Sequence, residues 1–229
     1  MTTLLLATRN LHKTEEIRAI LGGDFRCQTL KDFPAAPPVL EDAATFAGNA
    51  TKKAVELARW VSTSRISADA RPDFVLADDS GLEVDVLNGA PGVHSARFAA
   101  LDSGAAGNST DAENNAKLLR LLASVPVEKW SARFRCVLAL TPVLPGRVES
   151  ASPVCFADEF ELATRLFEGV CAGTIQPVAS GQGGFGYDPL FVPDGFQHSF
   201  AELGEELKNR ISHRARALTQ LRSALLGSF

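Results

Sequence analysis

The sequence predicts an α/β fold with a mixed sheet, and two observations carry that prediction. Short apolar runs with strand patterning alternate along the chain with stretches of helical periodicity. Helix-start signals also fall where that alternation needs them: Asn10 follows the first apolar run, and Thr110 with Glu113 forms a capping box.

Taken in order, Leu4–Ala7 reads as a strand and Leu11–Leu21 as a helix with Ile17, Ile20 and Leu21 on one face. A second helix spans about Phe46 to Val61, its apolar stripe formed by Phe46, Ala50, Ala54, Leu57 and Val61. Phe74–Ala77 reads as a strand that ends in a turn, Asp78-Asp79-Ser80-Gly81. Beyond it Leu82, Val84 and Val86 alternate with Glu83 and Asp85 as a half-buried strand. The capping box opens a helix through Leu122, and Phe134, Cys136, Leu138 and Leu140 alternate as another strand. The last helix begins near Ser212 and turns Leu218, Leu221 and Leu225 inward. Pro34–Val39, Ser62–Pro72 and Leu101–Ser109 read as surface loops.

Bulk composition narrows the function classes. The 229 residues are 45% hydrophobic and 22% charged, which is ordinary for a globular chain. A chain of that length buries roughly 70% of its unfolded surface and needs no covalent staples. A net charge of −4 argues against a basic stripe for nucleic acid, while a small phosphorylated ligand needs only a few local cations. Cys27, Cys136, Cys155 and Cys171 are far apart and form no C-x-x-C pair, so reduced, buried thiols in a cytoplasmic protein are expected. Leu4–Ala7 is too short for an export signal, and no stretch approaches the roughly 20 apolar residues of a membrane span.

Five segments could carry chemistry. Thr8-Arg9-Asn10-Leu11-His12-Lys13 joins a strand end to a helix start, where free N–H groups and the helix dipole favour anions. The same segment also fits a plain capped helix with a surface lysine. In the second helix Lys53 lies at the edge of the apolar stripe beside Asn49, so it either snorkels out or points into a polar cleft. Asp78 and Asp79 follow buried strand residues, as ligand-binding carboxylates of α/β sheets do. Hard Mg²⁺ takes one or two carboxylates and completes its shell with water and phosphate oxygens. In extended backbone the two side chains diverge, so a single ion sees mainly one. An acidic surface turn is the alternative.

Glycine marks two further places, Gly89-Ala90-Pro91-Gly92 and Gly181–Pro189. The second packs four glycines into its first six residues and includes Phe185-Gly186-Tyr187-Asp188, read as an exposed stretch with a face for stacking a base. Lys208 and Ser212-His213-Arg214 come last. Cations at the start of a helix oppose its dipole, a cost that a bound anion or a hydrogen-bonding role offsets. Glu205 and Glu206 supply a plainer explanation, paired surface charges.

In this order and spacing the segments resemble the inosine triphosphate pyrophosphatase family, also called dITP/XTP pyrophosphatases. The resemblance rests on L-A-T-R-N-x-x-K from Leu6, T-F-A-G-N-A-x-K-K-A from Thr45 and A-D-D-S-G-L-E-V-D-V-L-N-G-A-P-G-V-H-S-A-R-F from Ala77. G-G-F-G-Y-D-P-L-F from Gly183 and K-N-R-I-S-H-R-A-R-A-L from Lys208 extend it to near residue 222.

The resemblance implies one pyrophosphatase domain over residues 1–229, an elongated α/β fold whose two lobes flank a central nucleotide-binding cleft, assembled as a homodimer. It implies Mg²⁺-dependent hydrolysis of ITP, dITP and XTP to the monophosphate and pyrophosphate. Thr8, Arg9, Asn10, Leu11, His12 and Lys13, aided by Lys53, would hold the phosphates. Asp79 would accept the proton and bind the metal, and Ser80 would touch substrate. Phe185, Gly186, Tyr187 and Asp188 would border base and sugar, with Lys208, His213 and Arg214 completing the base pocket. The family's second metal-linked acid falls on Glu41, with Asp42 as the alternative. Arg9 stands at a variable position, and Ser62–Pro72 and Leu101–Ser109 are longer than the family's pattern. Rivals are a pyrophosphatase for pyrimidine or other modified nucleotides, against which the G-F-G-Y-D and S-H-R blocks weigh, and a non-catalytic nucleotide sensor, against which Asp79, Lys13 and Lys53 weigh.

Overall fold

The computed structural model describes residues 1–104, 107–144 and 159–227. Cys155 and two residues of the 101–109 loop, Ala105 and Ala106, lie outside them.

Six strands order as β2-β1-β3-β4-β5-β6 in one sheet: β1 (Thr3–Leu6), β2 (Arg26–Thr29), β3 (Phe74–Val84), β4 (Ser131–Pro142), β5 (Arg165–Ile175) and β6 (Phe191–Pro193). β1 runs parallel to both β2 and β3, whereas β5 and β6 are antiparallel, so the sheet is mixed as expected. The helices are α1 (Leu11–Leu21), α2 (Phe46–Thr63), α3 (Ala100–Ser103), α4 (Asp111–Leu122), α5 (Glu159–Ala163), α6 (Phe200–Ile211) and α7 (His213–Leu226). Among the described residues no helix is long and apolar enough to cross a membrane.

The chain forms two compact units. The first comprises 1–79, 137–167 and 220–229, and the second 80–136 and 168–219. In the first unit Leu4, Leu5 and Leu6 of β1 are fully buried, because a strand with a parallel neighbour on each side hides both faces. Asn10 caps α1 by accepting from Lys13 N at 3.2 Å, and Thr45 caps α2 by accepting from Gly48 N at 3.0 Å. α2 buries its predicted stripe, and Phe33 meets Trp60 edge-to-face at 6.2 Å.

In the second unit the core gathers Leu82 and Val84 of β3, Leu118 and Leu122 of α4, and Phe191 and Phe200. The capping box at Thr110 and Glu113 is present, with Thr110 N donating to the Glu113 carboxylate at 2.8 Å. α7 starts at His213 in this unit, where Leu218 is buried, and ends among residues of the first unit, where Leu221 is buried and Leu225 half-buried.

The structure corrects four sequence expectations. Asp78-Asp79-Ser80-Gly81 is no turn but the middle of β3, which runs unbroken from Phe74 to Val84. A strand with neighbours on both sides overrides the turn propensity of these residues. Val86 does not extend the alternation: Asp85–Leu87 form a 3₁₀ turn ending at Asn88, whose φ of 54° begins the reversal that brings Gly89 N to Val84 O at 3.0 Å. The loops expected at Ser62–Pro72 and Leu101–Ser109 begin inside helices α2 and α3, and Ala68–Ala70 forms a 3₁₀ turn. Cys136 and Cys171 are buried as expected, but Cys27 is only half-buried on β2.

Gly169 lets β5 approach α7 backbone to backbone. A Cβ there would lie 2.6 Å from Ala217 N and press on the carbonyl oxygen of His213, where no flexible side chain can yield. Gly169→Ala is therefore expected to destabilise the protein by about 1–3 kcal/mol, read as a lower urea midpoint at unchanged slope. An unchanged midpoint would mean that α7 shifts freely.

Candidate active site

Strand β3 places the acidic pair, and its alternation sends Asp78 and Asp79 to opposite faces. Each carboxylate is met by its own partners in the first unit. Asp78 Oδ1 accepts from Lys13 Nζ at 2.5 Å, so the first turn of α1 is tied to mid-β3. Lys53 Nζ donates to the Asp78 carbonyl at 2.7 Å and to Glu41 Oε2 at 2.9 Å, and lies 3.7 Å from Asp79 Oδ1. Asn49 Nδ2 donates to Asp79 Oδ2 at 3.1 Å, while Asn49 Oδ1 accepts from Ala43 N at 2.9 Å.

Asp79 is 6% exposed, and burial outweighs all its neighbours. Desolvation pushes its carboxyl up to about 6, against the opposing pull of Lys53, Lys13 and the Asn49 hydrogen bond, with Glu41 adding to the rise. A carboxyl raised towards neutral pH suits a proton acceptor.

The donor set fits one Mg²⁺. Glu41 and Asp79 are two hard-oxygen carboxylates already bridged by a cation, the Lys53 ammonium, and Mg²⁺ with substrate phosphates asks for no more than two. Among the described residues no group of three or more His, Cys, Asp or Glu could hold a metal. Asp42 pairs instead with Lys52 at 2.7 Å, on the exposed side of α2.

The second unit gathers an aromatic and cationic cluster. Asp188 Oδ2 accepts both from Lys208 Nζ at 2.5 Å and from Phe185 N at 2.8 Å, and this ion pair is almost wholly buried. The Lys208 ammonium lies 4.6 Å from the centroid of the Phe185 ring and 5.9 Å from that of Phe200. Arg214, 1% exposed, reaches Ser80 Oγ with Nη2 at 2.9 Å and places its guanidinium 5.9 Å from Phe185. His213 stacks on Phe134 with centroids 4.8 Å apart and planes 13° from parallel. Gly184 at φ 73° lies so close to Asp188 that a side chain would strike the carboxylate.

Two expectations about this cluster change. Phe185 and Gly186 are half-buried, but Tyr187 and Asp188 are buried, so Gly-Phe-Gly-Tyr-Asp is not an exposed stretch. The Tyr187 hydroxyl donates to the Ser95 carbonyl at 3.0 Å, and burial pushes its phenol above the usual range. Tyr187 thus ties this segment to the core. Lys208 stands in the last turn of α6, where the dipole favours a cation, and its partner is Asp188; of the neighbouring glutamates, Glu206 pairs with Arg210.

The structure brings Lys13, Lys53, Glu41 and Asp79 together, and separately Ser80, Phe185, Asp188, Lys208 and Arg214. Thr8 lies on the same turn and accepts from Asn10 N at 3.2 Å. Arg9 turns away to donate to Ala36 O at 3.4 Å, and Leu11 and His12 are exposed on α1. Asn49 was missed as a site residue, although its place beside Lys53 at the edge of the apolar stripe was the available signal.

A raised carboxyl pKa means that the charged form is held at a cost. Asp79→Asn should therefore stabilise the metal-free protein at pH 7, on the order of 3 kcal/mol. The wild type should gain stability as pH falls through about 6 towards the unfolded value near 4, because the folded state then binds the extra proton. The variant should lack that gain. Chemical denaturation in EDTA at pH 7, 6, 5 and 4 reads both, and parallel curves for the two proteins would refute the assignment.

Comparison with known proteins gives the family. The Ham1 family profile matches residues 4–224. A dITP/XTP pyrophosphatase of Geobacillus kaustophilus is 43% identical over 222 residues, covering 96% of this chain and 93% of that protein. One from Opitutus terrae is 44% identical over 229 residues, covering 95% of this chain and 96% of that protein. Among solved structures, a HAM1 protein from Coxiella burnetii aligns over 100% of both chains at a TM-score of 0.78 and 34% identity. The Staphylococcus aureus Ham1 protein aligns over 100% of both chains at 0.75 and 30% identity. With sequence and fold matched over nearly their whole length, the chain belongs to the Ham1 family.

Proposed function

We propose that this chain is a hydrolase of nucleotide metabolism that cleaves aberrant purine nucleoside triphosphates, ITP, dITP and XTP, to the monophosphate and pyrophosphate, with Mg²⁺ as cofactor. The observation that carries the reading is the setting of Asp79: a buried carboxyl that accepts from Asn49, with the Lys53 ammonium 3.7 Å away and shared with Glu41. That is a base poised next to cations able to receive a polyphosphate.

Lys13 and Lys53, with the capped turn Thr8–Asn10, bind the triphosphate and neutralise its charge. Asp79 takes a proton from water, and the water oxygen bonds to the α-phosphorus as the bond to the bridging oxygen breaks and pyrophosphate departs. Asp79 and Glu41 would hold Mg²⁺, which would supply further charge neutralisation and Lewis acidity beside the phosphates. Asn49 keeps the Asp79 carboxylate aimed, and its link to Ala43 keeps the Glu41 segment in reach.

Base recognition falls to the second unit. Phe185 offers a stacking face backed by the Lys208 ammonium, and His213 and Arg214 supply donors for a 6-keto oxygen. Adenine has an amino group there and would leave those donors unpaired. Residues 1–229 act as one pyrophosphatase domain, and β3 runs unbroken through Asp79 and Ser80. The chain works as a cytoplasmic homodimer that cleanses the nucleotide pool.

The test is phosphate release from ITP, XTP, dITP, ATP and GTP with Mg²⁺, with and without added inorganic pyrophosphatase. Release from the aberrant purines only with the coupling enzyme is expected, and a near-complete loss of turnover in Asp79→Asn with binding retained. Direct phosphate release, or turnover by Asp79→Asn at the wild-type rate, would overturn the mechanism. His213→Ala should erode the preference for ITP over ATP by about tenfold. An unchanged ratio would place base reading elsewhere.

A further inference from the structure

Phe185 is the ring on which the proposed base recognition turns, yet it sits in a run of glycines whose backbone is intrinsically loose. The peptide before it is tied by Asp188, which accepts from Phe185 N at 2.8 Å. Gly186, immediately after it, stands at φ 64°, a conformation that only restraint from outside would keep single-valued.

That restraint comes from α4. Asp111 Oδ2 accepts from Gly186 N at 2.7 Å, and Asn115 Nδ2 donates to Gly186 O at 3.0 Å. The two residues are four apart on one helix face, so one turn of α4 grips the N–H and the C=O of the same glycine. α4 is itself immobilised. Its capping box is complete, Asn114 accepts from Ala99 N at 2.9 Å, and Lys117 Nζ donates to Phe98 O at 2.7 Å. Asparagine is a poor choice for a helix interior, which makes the placement of Asn115 a concession to this contact.

We infer that Asp111 and Asn115 are positioning residues of base recognition: by clamping Gly186 they hold the Phe185 ring in the orientation that stacks on the purine. The inference rests on the reading of Phe185 as the stacking residue. Without the clamp, Phe185 samples several orientations and must be ordered anew at each binding event, a loss that falls on binding and not on the chemical step.

Steady-state kinetics with ITP test this directly. Asp111→Ala and Asn115→Leu, the latter a better helix former without the donor, should each raise KM about 5- to 30-fold while kcat stays within about twofold. Asp111→Asn keeps an acceptor and should restore most of the KM. Phe185→Ala should raise KM by itself, and adding Asp111→Ala to it should change nothing more, because the two act through one element. The Gly186 amide resonance should move upfield in Asp111→Ala and return towards its wild-type position in Asp111→Asn. Wild-type KM in both single variants, or an undiminished further rise on the Phe185→Ala background, would overturn the clamp while leaving the pyrophosphatase reading intact. A wild-type protein that hydrolyses no nucleotide would overturn that reading and this inference with it.

Discussion

Two adjacent carboxylates buried in the middle of a strand are the constraint on which the first unit is built. Asp78 and Asp79 together would repel and would be heavily penalised by burial if each lacked a partner. β3 resolves the first problem by alternation, sending them to opposite faces. The second is met from two helices. Lys13 reaches Asp78 from the capped start of α1, and Lys53 reaches past Glu41 to the Asp78 carbonyl and the Asp79 carboxylate from the buried face of α2. The two pairings are unequal. Asp78 has a close ammonium at 2.5 Å, whereas Asp79 has one at 3.7 Å that it shares with Glu41. The better-paired carboxylate ties α1 to the sheet, and the under-compensated one is left with proton affinity to spare.

The second unit uses a buried ion pair for another purpose. Asp188 and Lys208 lie within 2.5 Å of each other and are almost entirely shielded, an arrangement that contributes little net stability but fixes geometry. The same carboxylate oxygen accepts the Phe185 N–H, so the charge pair, the loop and the ring move as one piece. Ser180 repeats the pattern at the other end of the loop. Its hydroxyl meets Glu202 at 2.6 Å and Gln176 at 2.6 Å, seating the glycine run against the first turn of α6. A loop rich in glycine for close approach is thus made rigid by side chains from outside it.

Much of the site was legible in the sequence because its residues break local rules. Lysine at the edge of an apolar helical stripe, paired aspartates after a buried run, and Gly-Phe-Gly-Tyr-Asp in one segment each stand out, although snorkelling and an acidic surface turn were open to the first two. Asn49 left only a weak signal, its place beside Lys53 at the edge of the apolar stripe, because a polar residue there has many uses. Its role emerges only when Ala43 and Asp79 flank it. Nothing in the sequence ties Asp111 and Asn115 to the site: their partner is the backbone of Gly186, 75 and 71 residues away in sequence, and backbone has no identity to read.

The sequence by itself determined the alternation of strands and helices, the capped starts of α1 and α4, and the family resemblance, because periodicity and capping are local and motif spacing is written in the chain. Only the tertiary structure decided that Asp78-Asp79-Ser80-Gly81 is a strand and not a turn, that Lys53 is buried and not snorkelled, and that Tyr187 and Asp188 face inward. Each of those outcomes depends on partners distant in sequence. Neighbouring strands satisfy the β3 backbone on both sides, carboxylates and a carbonyl make burying Lys53 possible, and Ser95 and Lys208 accept and donate to the inward-facing pair. A residue's local propensity is worth less than the hydrogen bonds and charges that the fold brings to it.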